Sequence, residues 1–227
     1  MTNVVITSAA RTAVGSFLGS FSNIPAHDLG SAVLEEVVAR SGIDKAEVSE
    51  TIMGQVLSAG QGQNPARQAH IKAGFPIESS AWGINQVCGS GLRSVISGYQ
   101  SIKLGENKII VAGGQENMSR APHAIFYRED KKLDENKLVD TMINDGLIDS
   151  FNNYHMGITA ENVAEKYKIS RGEQDLFALN SQEKTQKAIN ENRFKNELIK
   201  LKIDTDNNNF LFEKGLLRHN LFHYCRL

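Results

Sequence analysis

Hydrophobic and polar positions along this chain alternate between two periods, and the switches between them mark the elements. Val4 to Ala10 is short, apolar and β-branched at its start, which predicts a buried strand. From about Pro25 to Arg40 the spacing turns helical, with Leu29, Val33 and Val37 on one face and Gly42 just past the end. Thr51 to Leu57 predicts a second strand. Asn64 as cap, Pro65 in the first turn, and Gly74 with Pro76 as stop signals predict a further helix. Ala81 to Val87 predicts another strand that runs directly into Cys88. From Leu92, the residues Val95, Ile96, Tyr99 and Ile102 recur at helical spacing until Gly105, and Lys108 to Ala112 is a short apolar strand closed by Gly113-Gly114. Strands alternating with helices predict an α/β fold around a parallel sheet covered on both faces.

After Gly114 the texture changes. Residues 115 to 158 hold few apolar runs and many turn formers, which predicts a long excursion from the sheet. Thr159-Ala160-Glu161 opens a short helix with Val163 and Tyr167 on one face. Ser170-Arg171-Gly172-Glu173 reads as a capping box for a helix reaching about Ile189. Asn190, Asn192, Asn196 and Asn207-Asn208-Asn209 mark a polar, turn-rich end. No repeat of solenoid period is present.

Composition narrows the function classes. The 227 residues are 41% hydrophobic and 22% charged with a net charge of −1, which is ordinary for a globular chain and gives no electrostatic reason to expect nucleic acid or an anionic membrane. No apolar run approaches the ~20 residues of a bilayer span, and the start at Met1 lacks signal-peptide character. Two cysteines, Cys88 and Cys225, cannot make a disulfide scaffold. These features predict a cytoplasmic protein.

The strongest local signal is Asn85-Gln86-Val87-Cys88-Gly89-Ser90-Gly91, a cysteine between a strand and a helix. Unpaired helical N–H groups and the positive dipole end meet such a position, which favours the nucleophilic thiolate. Flanking glycines allow close approach of a substrate, and the Cys88 N–H is a candidate oxyanion donor. A buried structural cysteine stays open as the alternative. Phosphate cradling is the weaker one, because neither dinucleotide nor P-loop glycine spacing occurs.

These residues and three further blocks resemble the thiolase family. Asn85 to Ser94 is similar to its nucleophile motif. Gly113-Gly114-Gln115-Glu116-Asn117-Met118-Ser119 with Ala121-Pro122-His123, and Tyr154 through Ala164, are similar to the next two blocks. Val5-Ile6 through Ala10-Arg11-Thr12-Ala13-Val14-Gly15 resembles the first strand and turn, so the resemblance covers nearly all of residues 1 to 200. It implies the first α/β half of a layered sandwich over residues 1–116. A CoA-facing loop domain would be inserted at 117–218, and 219–227 would be an aberrant tail. Gly89 after the nucleophile and the His155-Met156 pair resemble the biosynthetic branch, where that pair lies against the pantetheine of CoA. The implied reaction condenses two acetyl-CoA to acetoacetyl-CoA, or reverses this by thiolysis, through an acyl-Cys88 intermediate. No metal or cofactor is implied, since the coenzyme A thioester is the substrate. A homodimer or tetramer is.

The resemblance also implies groups that this chain does not show. The family's activating histidine lies in Gly-His-Pro, and its second cysteine in Cys-x-Gly. The six histidines here (His27, His70, His123, His155, His219 and His223) form no Gly-His-Pro, and Cys225 is followed by Arg226-Leu227. The stretch Asn220 to Leu227 departs from the family after faint likeness around Phe212-Glu213-Lys214 and Leu217-Arg218. The expectation is therefore a truncated or frameshifted chain lacking the C-terminal half, impaired or inactive in condensation. His123 and His155 are the available substitute bases, with a loop position and a CoA contact as their plainer roles. Met118 and Met142 read as core fillers, Trp82 and Tyr99 as core aromatics, Arg93 as a surface charge, and Lys131-Lys132 as a solvated loop. Two other classes stand beside the transferase: a non-catalytic fragment that binds CoA or pairs with another subunit, and a ketoacyl-synthase-type condensing enzyme.

Overall fold

The computed structural model describes residues 3–128, 134–205 and 208–212, with side chains up to residue 201 apart from Asn136. The chain divides into two units: one runs through Pro122 and takes up the chain again at Leu198, and the other is His123–Glu197.

The first unit is built on three parallel strands, β1 (Glu50–Gly54), β2 (Ser80–Ile84) and β3 (Ile110–Gly114), in the order β2-β1-β3. Their registers are flush: Gly54 pairs with Ile84 on one side and with Gly114 on the other, so all three carboxyl ends lie in one row. This confirms the α/β class and the parallel sheet predicted from the alternation. Side chains alternate across the sheet as the period of two requires. Met53 joins Leu34, Val38, Val48, Ala66, Ala69, Ala73 and Phe75 in a cluster on one face, whereas Gly54 abuts the backbone of Ser90 on the other. Fully burying a side chain such as Ile52 contributes about 1.5–3 kcal/mol, and Ile52 is completely enclosed.

Helices α1 (Ala26–Ser41) and α2 (Pro65–Lys72) cover the cluster face. Gly42 closes α1 in the left-handed conformation (φ 71°), and Asn64 caps α2 by accepting from Arg67 N at 3.0 Å, as the sequence signals predicted. The deepest face of α1 is Gly30, Leu34 and Val38, one position on from the predicted stripe. Leu29 and Val33 instead pack beside Ala13, Phe21, Ile199 and Leu201 in a second cluster.

Buried His70 on α2 ties that helix to the sheet. Its Nε2 lies 3.0 Å from the Pro76 carbonyl, which only accepts, so Nε2 carries the proton and Nδ1 accepts from the Thr51 hydroxyl at 2.9 Å. Burial holds its pKa below the ordinary 6.5. A histidine kept neutral by the fold stabilises it fully above pH 6.5, and that contribution is lost as pH falls below 6.5 toward the lowered folded value. The unfolding free energy from urea titrations should therefore drop between pH 7.5 and 5 with a slope of up to ~1.4 kcal/mol per pH unit. The slope should vanish in His70→Gln.

Helix α3 (Ser90–Leu104) covers the other face, and its orientation corrects a simple reading of its apolar periodicity. The residues against the sheet are small: Ser90, Ser94, Gly98 and Ser101 are its buried positions. Leu92, Val95, Ile96 and Tyr99 point outward, with Leu92 69% and Tyr99 49% exposed. Tyr99 is thus not a core aromatic. Trp82 is not one either, being 36% exposed with its indole N–H donated to Glu50 Oε1 at 2.8 Å. A methyl on Gly98 would sit 3.2 Å from Ile110 Cγ2, which shows how closely the small stripe lets α3 approach.

The predicted strand at Val4 to Ala10 does not form. Residues 3–10 carry no strand pairing, and Val5 and Ile6 are 73% and 80% exposed. β-branched composition favours a pleated surface, but a strand exists only where another edge completes its hydrogen bonds. The segment's one bridge is from Arg11 to Leu198, where Ile199 N also donates to Arg11 O at 2.9 Å. A hairpin that the asparagine-rich texture had concealed follows, β6 (Leu201–Thr205) against β7 (Asn208–Phe212), antiparallel with Leu201 opposite Phe212.

The second unit holds the short pair β4 (His123–Ala124) and β5 (Val139–Asp140), then α4 (Thr141–Gly146), α5 (Met156–Tyr167) and α6 (Arg171–Asn190). The capping box of α6 is present in both directions: Ser170 Oγ accepts from Glu173 N, and Glu173 Oε2 accepts from Ser170 N at 2.7 Å. These bonds hold the Glu173 carboxyl below its ordinary range. Neither α5 nor α6 has a buried residue. Among the described residues no helix is long and apolar enough to cross a membrane. The expectations for Lys131-Lys132, for Cys225 and for the tail from 219 concern residues outside those described.

Candidate active site

Three glycines seat the start of α3 on the carboxyl ends of the sheet. A Cβ on Gly54 would lie 2.5 Å from Gly91 N and 2.6 Å from Ser90 O, and one on Gly114 would lie 3.3 Å from Gly91 Cα. Real Cβ atoms do not approach backbone as closely as at Gly54, so that position admits glycine alone, and at Gly114 a side chain would force its neighbour to give by a few tenths of an ångström. Ser94, fully buried, fastens the next turn: its Oγ is 2.6 Å from Gly91 O and 2.7 Å from Gly113 O, donating its one proton to either. The helix start thus rests directly over the ends of β1 and β3, and the β2–α3 turn is carried there with it.

That turn holds Cys88, an exposed free thiol. Asn85 Oδ1 accepts from Val87 N at 2.9 Å, and Gly89 N donates to Gln86 O at 3.0 Å. Ser90, 4% exposed, binds the turn twice, its hydroxyl accepting from Gln86 N at 2.8 Å and donating to Val87 O at 2.5 Å. Val87 sits between them at φ +47°, in the left-handed region that β-branched residues avoid. Cys88 therefore precedes a helix whose first-turn N–H groups have no intrahelical acceptor and whose dipole presents its positive end there. Chemically, this is a place for a sulfur nucleophile and for a developing negative charge. The arrangement does not fit the alternative of a buried structural cysteine.

The Gln115-Glu116-Asn117 stretch after β3 organises the neighbouring loops. Gln115 Nε2 donates to Gln55 Oε1 at 2.8 Å, and Glu116 Oε2 accepts from Val56 N at 2.8 Å and Leu57 N at 3.2 Å. Buried Asn117 donates to Phe21 O and Ile24 O, both at 2.7 Å. Ser119 Oγ accepts from Leu18 N at 2.8 Å. This block ties residues 18–24 and 55–57 to the end of the sheet.

His155 and Met156 belong to the second unit, whereas Cys88 belongs to the first. His155 is the N-cap of α5, its Nδ1 accepting from Gly157 N at 3.0 Å, so its other nitrogen bears the proton in the neutral ring. Helix α5 accordingly starts three residues before the predicted Thr159. Met156 opens the helix half-exposed. His123 lies opposite Asp140 across β4–β5, with Nε2 3.9 Å from Asp140 Oδ2. Ser90, Ser94 and Val87 escaped the sequence reading. The spacing of Ser90, Ser94, Gly98 and Ser101 was a readable signal of a close-packed helix face, but a left-handed valine has none.

The family model "Thiolase, N-terminal domain" matches residues 4–219. The chain is 62% identical over 203 residues to an acetyl-CoA acetyltransferase of Paracoccus denitrificans, covering 89% of this chain and 52% of that protein. Over the same share of each chain it is 56% identical to the acetyl-CoA acetyltransferase of Rhizobium meliloti. The corresponding identity with the protein of that name from Pseudomonas aeruginosa, over 204 residues, is 53%. The chain spans about half the length of the curated relatives it matches. With the family model matching residues 4–219 over a parallel α/β sheet, the chain belongs to the thiolase family.

Proposed function

We propose that this chain is an acetyl-CoA acyltransferase component in which Cys88 takes an acetyl group from coenzyme A. The observation that carries the reading is an exposed thiol at the start of a helix seated by glycines on the carboxyl ends of a parallel sheet. In the first half-reaction the Cys88 sulfur attacks the thioester carbonyl, the carbon–sulfur bond to coenzyme A breaks, and coenzyme A leaves as the thiol with the proton that Cys88 gave up. Helix-start N–H groups supply donors for the oxyanion. In the second half, another acetyl-CoA gives an α-proton to a base, the resulting carbanion attacks the acetyl carbonyl on Cys88, and the carbon–sulfur bond to Cys88 breaks, giving acetoacetyl-CoA and a Cys88 sulfur that takes up that proton.

That second half needs a base at the α-carbon of the second acetyl-CoA, and the first half is helped by one at the thiol. Among the described residues, Cys88 has no hydrogen-bonded histidine, and His155 and His123 are engaged as a helix cap and opposite Asp140. Acyl capture is therefore the activity assigned to these residues, and condensation by this chain alone is expected to be impaired. His155 and Met156, at the start of α5, are the residues proposed to meet pantetheine. The outward apolar stripe of α3 (Leu92, Val95, Ile96 and Tyr99) supports a second reading, a fragment that functions by pairing with another subunit. Incubating the purified chain with acetyl-CoA and weighing it intact separates the two. A single acetyl adduct absent from Cys88→Ala supports capture, and an unmodified, folded chain supports the pairing fragment.

A further inference from the structure

The turn that carries Cys88 is held in a conformation its own sequence disfavours. Among the described residues six non-glycine residues have positive φ, and Val87 is the β-branched one of them. A left-handed valine is sterically costly and persists only where surrounding contacts over-determine it. The Val87 N–H is taken by Asn85 Oδ1, and its carbonyl receives both Ser90 N–H at 3.1 Å and Ser90 Oγ–H at 2.5 Å. The same Ser90 hydroxyl accepts from Gln86 N, so one buried oxygen spans the two residues that precede Cys88. Gly54 lies against the Ser90 backbone from the sheet side, so Ser90 cannot sink toward β1 to relax the turn.

We propose that Ser90 and Val87 are positioning residues for Cys88: Ser90 holds Val87 in the left-handed region, and that elbow aims the thiol at the start of α3. The role rests on the reading of Cys88 as the nucleophile, and it goes beyond that reading by naming what aims the sulfur. Remove the Ser90 hydroxyl and Val87 returns to negative φ, rotating the peptide that joins it to Cys88. Remove the valine side chain as well, and glycine holds the same φ at no steric cost, so the hydroxyl is no longer needed. A side chain with a merely structural role would not be rescued in this way.

The test measures the rate of Cys88 alkylation by iodoacetamide at fixed pH, by mass of the Cys88 peptide so that Cys225 is counted apart, in wild type, Ser90→Ala, Val87→Gly and the double variant. Acetyl-CoA capture is measured in parallel, and folding is followed by circular dichroism. Ser90→Ala is expected to slow alkylation about tenfold, the scale of a misaimed reacting group, and the double variant to recover most of the loss. Val87→Gly alone is expected to raise Tm by roughly 3 °C through relief of the left-handed valine. Should Ser90→Ala not fold, Asn85→Ala, which removes the other side-chain contact to Val87, takes its place with the same readings. Equal alkylation rates in all chains, a double variant as slow as the single one, or a lower Tm in Val87→Gly each overturn the elbow. An alkylation pattern as expected in a chain that acetyl-CoA never modifies keeps the elbow and removes the proposed acyl capture.

Discussion

Gly54→Ala is expected to cost about 3–5 kcal/mol, more than ordinary overpacking of a core. The added methyl would meet Gly91 N and Ser90 O at 2.5 and 2.6 Å. These are backbone atoms, so no rotamer change relieves the contact. Either β1 or the start of α3 must shift, and both are fixed: β1 by two flush parallel ladders, and α3 by Ser94 against the Gly91 and Gly113 carbonyls. For a domain whose whole stability is of order 5–15 kcal/mol, that is a large fraction of the total, and Cys88 is carried on the element that must move. Chemical denaturation of wild type and variant measures the loss. Gly172→Ala, near the start of α6 with nothing within 4 Å of the new Cβ, provides the contrast. It should stabilise by up to ~1 kcal/mol through helix propensity. A Gly54→Ala chain as stable as wild type would mean that the glycine seat does not hold the helix start.

How far the fold was legible follows from which physical signals are local. The strand–helix alternation, the Asn64-Pro65 start of α2, the Gly42 stop of α1 and the capping box of α6 are settled within a few residues, and the structure shows each of them. The outward face of α3 was not legible from hydrophobicity, because that helix carries two stripes. One is large and apolar, the other small, and close packing against the sheet selected the small one. Val4 to Ala10 had strand composition, but strand formation depends on a partner edge far away in sequence. The β6–β7 hairpin lay in a stretch read as polar and turn-rich, and its pairing is likewise a matter of a partner rather than composition.

The candidate site was legible in its chemistry and less so in its support. Cys88 between a strand and a helix could be read directly, since the position itself implies free N–H groups. His155 was readable only through resemblance, and its capping of α5 adds a local role that histidine spacing does not announce. Asn117 and Ser119 looked like members of a family block, and the structure shows the loops they hold. The Ser90 contacts depend on a backbone angle at Val87 that no residue pattern encodes.

The second large effect concerns acyl capture. Cys88→Ala should abolish it, because Cys225, the other cysteine in the sequence, lacks the Gly-Ser-Gly that follows Cys88. Cys88→Ser should lose nearly all of it, since a hydroxyl without a base at its side is a poor nucleophile at neutral pH. The loss should be specific. Cys88 is exposed, so neither variant leaves a cavity, and both should keep the wild-type unfolding free energy within about 0.5 kcal/mol in urea titrations. His155→Ala should leave capture at Cys88 measurable and act instead on the dependence on acetyl-CoA concentration, if the start of α5 meets pantetheine.

The most direct measurement is therefore the site of modification after the folded chain meets acetyl-CoA. Intact mass followed by fragmentation should show one acetyl group per chain, on Cys88, removable by free coenzyme A thiol as the transfer runs backward. A folded chain that stays unmodified, or that carries acetyl groups on lysines with Cys88 free, would contradict the account.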